Sequence, residues 1–248
     1  MSLLCYHSVD SSWNSPLAVR DVDFDRQCRW ITRHRSALPL DMALERLQKD
    51  GTLPHGALHL TFDDGFEALH QRMLPVLRRY RLPSSVFLVA QTLTPQGRAV
   101  DWVDRPPLTP LATLSLDQVL EMQDSGVDFQ SHSWAHHDLT TLDYDSCRHD
   151  LNSSRELLED LLGKRVTVLA YPRGRHDRMV REAAKAAGYT HALALPEHRE
   201  DVNAFAIPRV GIYRANGARI FRLKVSPRYL KVRHSGVVRQ LRSFRHRP

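Results

Sequence analysis

The feature that most constrains this chain is an alternation of short apolar runs with longer segments of helical periodicity, repeated along most of its length. Apolar runs near residues 3–6, 57–62, 84–90, 127–131, 166–170, 189–194 and 205–212 read as seven strands. The stretches near 23–34, 40–50, 66–81, 115–125, 143–162 and 176–187 carry helical spacing, and several end in a glycine, among them Gly51, Gly126, Gly163 and Gly188. Strands alternating with helices imply a parallel sheet of the α/β class. Seven such units suit a closed or nearly closed barrel; a doubly wound open sheet is the alternative that the pattern leaves standing. Residues 91–114, with Pro95, Pro106, Pro107 and Pro110, form a long loop, and loops of that length are usually functional walls or lids.

Composition narrows the class. With 248 residues, 42% of them hydrophobic and 25% charged, the chain can bury one sizeable core, which excludes a disordered or fibrous protein. No run approaches the roughly 18 apolar residues of a membrane span. The amino end lacks the basic, apolar and small-residue order of a secretory signal, so a cytoplasmic location is expected. Cys5, Cys28 and Cys147 are far apart and outside any C-x-x-C spacing, so they are expected to be reduced and buried. The net charge of +7 is unevenly placed: residues 217–248 hold ten basic residues and no acidic one, leaving 25 basic against 28 acidic elsewhere. The division expected is a barrel over residues 1–213 and a basic amphipathic tail over 214–248. The tail interleaves its cations with apolar residues such as Ile220, Phe221, Leu223 and Val225. That pattern fits an anionic membrane surface, or equally a helix packing its apolar face on the barrel. Nucleic acid is a third, weaker reading, since no binding motif accompanies the charge.

The candidate chemistry sits at strand ends. The second strand runs into Asp63-Asp64-Gly65, two adjacent carboxylates where active sites of (β/α) barrels are built, although Asp-Gly is also a common turn. The fourth leads into Ser131-His132-Ser133-Trp134-Ala135-His136-His137. The four-residue spacing of His132 and His136 lets both imidazoles face one point if the segment makes a helical turn, whereas His137 points elsewhere. With Asp64 they would make a two-histidine, one-carboxylate metal site with open positions. The fifth strand ends in Tyr171-Pro172-Arg173-Gly174, and the first in Tyr6-His7. Read alone, either is a structural strand ending.

Thr61-Phe62-Asp63-Asp64-Gly65, His132-Ser133-x-x-His136 and Tyr171-Pro172-x-Gly174, in that order, resemble the polysaccharide deacetylases of carbohydrate esterase family 4, the NodB-homology domain. The resemblance covers roughly residues 1–213. It implies a distorted (β/α)7 barrel that hydrolyses N-acetyl groups on an amino-sugar glycan or glycoconjugate. It further implies Asp64, His132 and His136 as ligands of a divalent metal, usually zinc, and Asp63 as the base. A backbone N–H near Tyr171 matches the family's second oxyanion donor, and Pro172, Gly174 and Trp134 fall on the same substrate face. Trp102, Trp134 and Tyr171 are placed either to stack on sugar rings or to pack as lid and core.

Two departures from the family pattern stand out. The arginine that orients the base is replaced by Ala170, with Arg173 or Arg175 as substitutes or as plain surface residues. The late leucine-x-histidine motif is not found after residue 190. Members resembling the poly-N-acetylglucosamine deacetylases take that histidine from the first strand, and Cys5-Tyr6-His7-Ser8-Val9 resembles this variant, which makes His7 the expected general acid. Two other functions stay open: an amidase acting on a non-carbohydrate acyl amide, and a non-catalytic glycan- or membrane-binding module that keeps the fold.

Overall fold

Seven parallel strands close into a ring, as the alternation requires of a barrel. The computed structural model describes residues 2–51, 54–195, 202–226 and 229; the remainder of the expected tail lies outside the described residues. In chain order the elements are β1 (Ser2–Tyr6), β2 (Ser8–Val9), β3 (Ala18–Val19), α1 (Asp21–His34), β4 (Ser36–Ala37), α2 (Leu40–Asp50), β5 (Ala57–Phe62), α3 (Leu74–Tyr80) and β6 (Ser84–Leu88). They continue with α4 (Leu116–Asp124), β7 (Asp128–Ser131), α5 (Tyr144–Leu162), β8 (Val168–Ala170), α6 (Arg178–Ala186), β9 (His191–Ala194), β10 (Ile207–Gly211) and α7 (Ala218–Lys224). The ring order is β1-β10-β9-β8-β7-β6-β5, and β5 pairs back to β1 with Cys5 opposite Thr61. This closure decides against the open sheet. The short β4 adds beside β5 at Ala57 and Leu58.

The strands read as continuous apolar runs because both of their faces are covered. One face of each strand packs outward on the helices, with Leu4, Leu60, Phe62, Val86 and Phe129 in the main core. The alternate residues Leu3, Phe87, Val168, Ala170, Leu193 and Ile207 fill the barrel interior, where Leu40, Leu44 and Leu47 of α2 join them. The same period of two puts Cys5, Thr61 and Arg209 on the inward face.

Two local details differ from the expected pattern. The helix expected over 66–81 forms as a π-helical turn at Leu69–Met73 followed by α3, and Pro75 at the start of α3 supplies the reason, because it has no N–H for a regular backbone bond. Past residue 213 the chain forms α7, whose Phe221 and Val225 join the main core, with Phe221 edge-on to Trp30 of α1 at 5.9 Å. In the described part of the expected tail, Phe221 and Val225 pack on the barrel while Ile220 and Leu223 stay exposed.

Candidate active site

Strand alternation delivers the central residues. Asp63 follows inward-facing Thr61 by two residues, and its amide donates to Tyr6 O at 3.0 Å, holding the ends of β5 and β1 together. Gly65 has φ of +66°, and a Cβ there would stand 2.7 Å from Leu88 Cδ2, so the turn after the two aspartates needs glycine. Around this point the backbone is strained. Asp64, Ser133, His136 and Arg173 all have φ between 57° and 71°, and of the five non-glycine residues with positive φ among the described residues only Arg81 lies elsewhere.

Asp64 meets both histidines. Its Oδ1 lies 3.4 Å from His136 Nε2 and 3.7 Å from His132 Nε2. The ligand atoms of the three residues fall within 4.8 Å of one another. His132 Nδ1 bonds Ala170 O at 2.8 Å, which puts the proton on Nδ1 and leaves the Nε2 lone pair facing Asp64. The segment His132–His136 is an irregular loop instead of the helical turn expected, folded by the left-handed Ser133 and His136. It is pinned at several points: His132 N donates to Leu88 O at 2.8 Å, Trp134 N to Asp150 Oδ1 at 2.8 Å, and Gln91 N to Trp134 O at 2.9 Å. His137 faces away, as expected, with Nδ1 3.5 Å from Asp150.

The neighbouring carboxylate has a different partner. Arg209 of β10 donates from Nη1 to Asp63 Oδ1 at 2.6 Å and from Nη2 to Oδ2 at 2.7 Å, and also from Nη1 to Thr61 Oγ1 at 3.1 Å. Arg209 is fully buried, with its guanidinium over the Phe87 ring at 5.6 Å. Cys5 Sγ donates to Asp63 Oδ2 at 3.4 Å, and His7 completes a Cys5–His7–Asp63 group whose polar atoms lie within 4.8 Å of one another. His7 Nδ1 is buried without a partner among the described residues.

Electrostatics separates the two aspartates. Burial alone would raise both. At Asp63 the Arg209 guanidinium reverses this and holds the carboxyl well below the usual range, whereas burial and the charge of Asp63 push Asp64 up to about 8. Burial pushes His7 down to about 4 and His136 down to about 2, so His136 is the neutral imidazole that a metal ligand must be. A raised carboxyl beside neutral imidazoles at hydrogen-bond-to-ligand spacing is a donor set short of positive charge. Two nitrogens and one oxygen at a strained, buried point fit a divalent ion.

Several expectations change. Neither Arg173 nor Arg175 reaches Asp63: Arg173 donates to Trp102 O at 3.3 Å and Arg175 to Asp138 at 2.8 Å. Arg209 takes the place left by Ala170. Tyr171 is fully buried, its amide donates to Leu193 O at 3.1 Å and its hydroxyl to Phe205 O at 3.0 Å, so its own N–H is committed to the barrel ladder and is not a spare oxyanion donor. Pro172 and Gly174 are buried beneath the same rim, and a Cβ on Gly174 would stand 2.4 Å from Leu195 Cβ. Trp134 is partly buried against the core. Trp102 is packed, with its ring stacked on His136 and its indole N–H bonded to Asp64. The signal that could have found Arg209 was available: an arginine two residues from Ile207 and from Gly211 in an otherwise apolar strand has to enter the barrel or leave it.

Fold and site together define a parallel (β/α)7-barrel protein with adjacent aspartates and two histidines gathered at the carboxyl ends of its strands. Residues 50–192 match the polysaccharide deacetylase family, and the chain belongs to it. Relatives include the Bacillus subtilis protein YxkH, 25% identical over 191 residues, covering 76% of this chain and 62% of that protein. The poly-beta-1,6-N-acetyl-D-glucosamine N-deacetylase of Staphylococcus epidermidis is 26% identical over 207 residues, covering 78% of this chain and 67% of that enzyme. The chain thus spans about two thirds of these relatives. Among solved structures, the Streptococcus pyogenes deacetylase PplD shares the fold, with a TM-score of 0.75 at 22% identity over 95% of this chain and 98% of that one.

Proposed function

We propose that the protein is a metal-dependent N-deacetylase acting on an N-acetylated amino sugar within a glycan or glycoconjugate. One observation carries the reading: Asp64 lies 3.4 and 3.7 Å from two imidazole nitrogens, while Asp63 beside it is locked ionised by Arg209. Asp64, His132 and His136 would hold a divalent ion such as zinc, which would supply polarisation of the acetamide carbonyl and acidification of a water. The residues of the chain do the rest. Asp63, kept charged and oriented by the guanidinium fork, accepts a proton from the attacking water. His7, whose ring nitrogen lies within 4.8 Å of an Asp63 oxygen just past the end of β1, passes on to the leaving nitrogen the proton that Asp63 took from the water. A carbon–oxygen bond forms, the carbon–nitrogen bond breaks, and acetate and a free amine result. The staphylococcal relative's named substrate supports N-acetylglucosamine as the sugar.

The place of action belongs to the same proposal. Cys5, Cys28 and Cys147 are free and buried, which supports a reducing compartment and hence the cytoplasmic side. A groove of about 400 Å³ between α1 and α7, lined by Arg26, Arg29, Arg33 and Arg222 over Trp30 and Phe221, supports peripheral contact with an anionic membrane. Exposed Ile220 and Leu223 flank it. Among the described residues no helix is long and apolar enough to cross a membrane.

The first experiment is metal content per chain for the wild type beside His136→Ala. About one divalent ion per chain, lost in the variant, is expected. Acetate release from N-acetylglucosamine oligomers, set against non-carbohydrate acetamides, then tests the substrate. Zinc-supplemented wild type that holds no metal refutes the mechanism.

A further inference from the structure

The long loop between β6 and α4 has length and prolines enough to be a wall, but one of its side chains reaches the triad itself. Trp102 is 8% exposed, and its indole N–H donates to Asp64 Oδ1 at 3.0 Å. That oxygen is the one facing both His132 and His136. The same indole lies on the His136 ring, centroids 5.0 Å apart and planes 20° from parallel. Its backbone is fixed from below, since Arg173 donates to Trp102 O at 3.3 Å, and three residues on Trp13 donates its own indole N–H to Arg105 O at 2.9 Å.

An indole N–H can only donate, so it fixes a carboxylate oxygen without competing for a second lone pair on it. A metal-binding carboxylate on a short side chain, set on a left-handed residue, has two oxygens that could swing into the ligand position. Bonding one of them selects the rotamer. His132 has the equivalent restraint in Ala170 O, whereas His136 Nδ1 has no hydrogen-bond partner among the described residues and is held by the stacked ring. Outer partners of this kind orient ligands, and their loss typically weakens metal affinity or activity.

We propose that Trp102 is a positioning residue of the metal centre: its N–H orients Asp64 and its ring orients His136, so that the loop carrying it is part of the metal site as well as a wall beside it. The proposal rests on Asp64, His132 and His136 being the ligands. It makes metal affinity depend on a residue that touches neither metal nor substrate.

The test is the dissociation constant for zinc, by competition with a chromogenic chelator, and the visible spectrum of the cobalt-substituted protein, in wild type, Trp102→Phe and Trp13→Phe. Phenylalanine at 102 keeps a ring against His136 and loses the N–H. Affinity is expected to fall roughly 10- to 100-fold in Trp102→Phe, with a changed cobalt spectrum. Trp13→Phe, which loses an indole bond to the same loop but none to Asp64, is expected to match the wild type. Wild-type affinity and spectrum in Trp102→Phe, or an equal loss in Trp13→Phe, overturns the proposal. Failure of the ligand assignment is separately visible, as wild type without metal or His136→Ala with wild-type affinity. If Trp102→Phe does not fold, the 15N-indole resonances of the wild type decide: stoichiometric zinc is expected to move that of Trp102 and leave that of Trp13, and a Trp102 resonance that stays in place overturns the proposal.

Discussion

Removing Arg209 alone is expected to cost at least as much as removing Arg209 and Asp63 together. Both side chains are at most 2% exposed and are joined by two bonds of 2.6 and 2.7 Å. In Arg209→Met the Asp63 carboxylate keeps only Cys5 as a weak donor nearby, and a buried pair broken on one side costs about 3–5 kcal/mol because a charge is left without compensation. Asp63→Asn removes the charge and one of the two carboxylate acceptors, leaving the guanidinium an amide oxygen, Thr61 Oγ1 and the face of Phe87, so its cost is of similar size. If the losses were independent, the double variant would fall by about 6–10 kcal/mol, which exceeds or exhausts the stability of most domains. With both charges gone, no buried ion remains and the double variant is expected to lose only about 2–4 kcal/mol, a coupling of roughly 5 kcal/mol. Urea denaturation of the four proteins at neutral pH, after chelation so that metal does not enter, measures the cycle. Arg209→Lys adds a second readout: it keeps a charge but not the planar fork, so it should retain part of the stability while turnover falls. Additive losses, or an Arg209→Met variant within 1 kcal/mol of wild type, would refute the assignment of Arg209 as the partner that keeps Asp63 ionised.

His7→Ala is expected to lower turnover about 10²- to 10⁴-fold while metal content stays at the wild-type level, and elemental analysis showing metal lost with activity would move His7 into the ligand set. His59 is buried on β5, bonded to Leu38 O at 2.8 Å and to Ser85 Oγ at 3.0 Å, and burial pushes it down to about 4. The unfolded chain takes up that proton near pH 6.5 and the native protein only near 4, so stability falls as pH drops through this window, by about 3 kcal/mol. His59→Gln should flatten that share of the acid slope in urea titrations, and an unchanged slope counts against the argument. Gly174→Ala places a methyl 2.4 Å from Leu195 Cβ at φ of +69°, and a loss of about 3 kcal/mol or more is expected by denaturation. A loss under 1 kcal/mol would mean the rim relaxes freely.

The alternation of strands and helices was legible because the two patterns have different periods, whereas closure of the sheet into a barrel was left open by the pattern and is decided by the pairing of β5 with β1. Continuous runs such as Ala57–Phe62, buried at every position, can only be strands covered on both faces, and α5 closes with Gly163 in the left-handed conformation that its glycine foretold. The grouping of Asp64, His132 and His136 was legible because spacing and strand ends converge on one point. The conformation of His132–His136 was not, since positive φ at Ser133 and His136 leaves no mark on residues that usually avoid it. Trp102 was visible as an aromatic in a loop but not as a partner of Asp64, 38 positions away, because nothing local ties the two. That the Tyr171 amide is spent on the barrel ladder was not legible either, because the strand pairing that takes it is not written at the motif.

Arg209 shows why a closed barrel tolerates a moved residue better than an open sheet would. Ala170 lies on β8, three steps around the ring from β5 through β7 and β6, whereas Arg209 lies on β10, two steps the other way through β1. Both positions are on inward faces, so a long side chain from either can reach the end of β5. Asp63, buried and ionised, needs a guanidinium held against it, and inward-facing positions on β8 and β10 both lie within a few strands of it around the ring. The small Ala170 leaves the interior beside His132 free, and its carbonyl instead fixes the His132 tautomer. Relocation of the arginine therefore carries a condition: with Arg209 in place, adding bulk at position 170 brings no second cation to Asp63 but does disturb His132. Ala170→Arg is accordingly expected to weaken metal binding without restoring turnover to Arg209→Met, and restoration would show that the two positions are interchangeable after all.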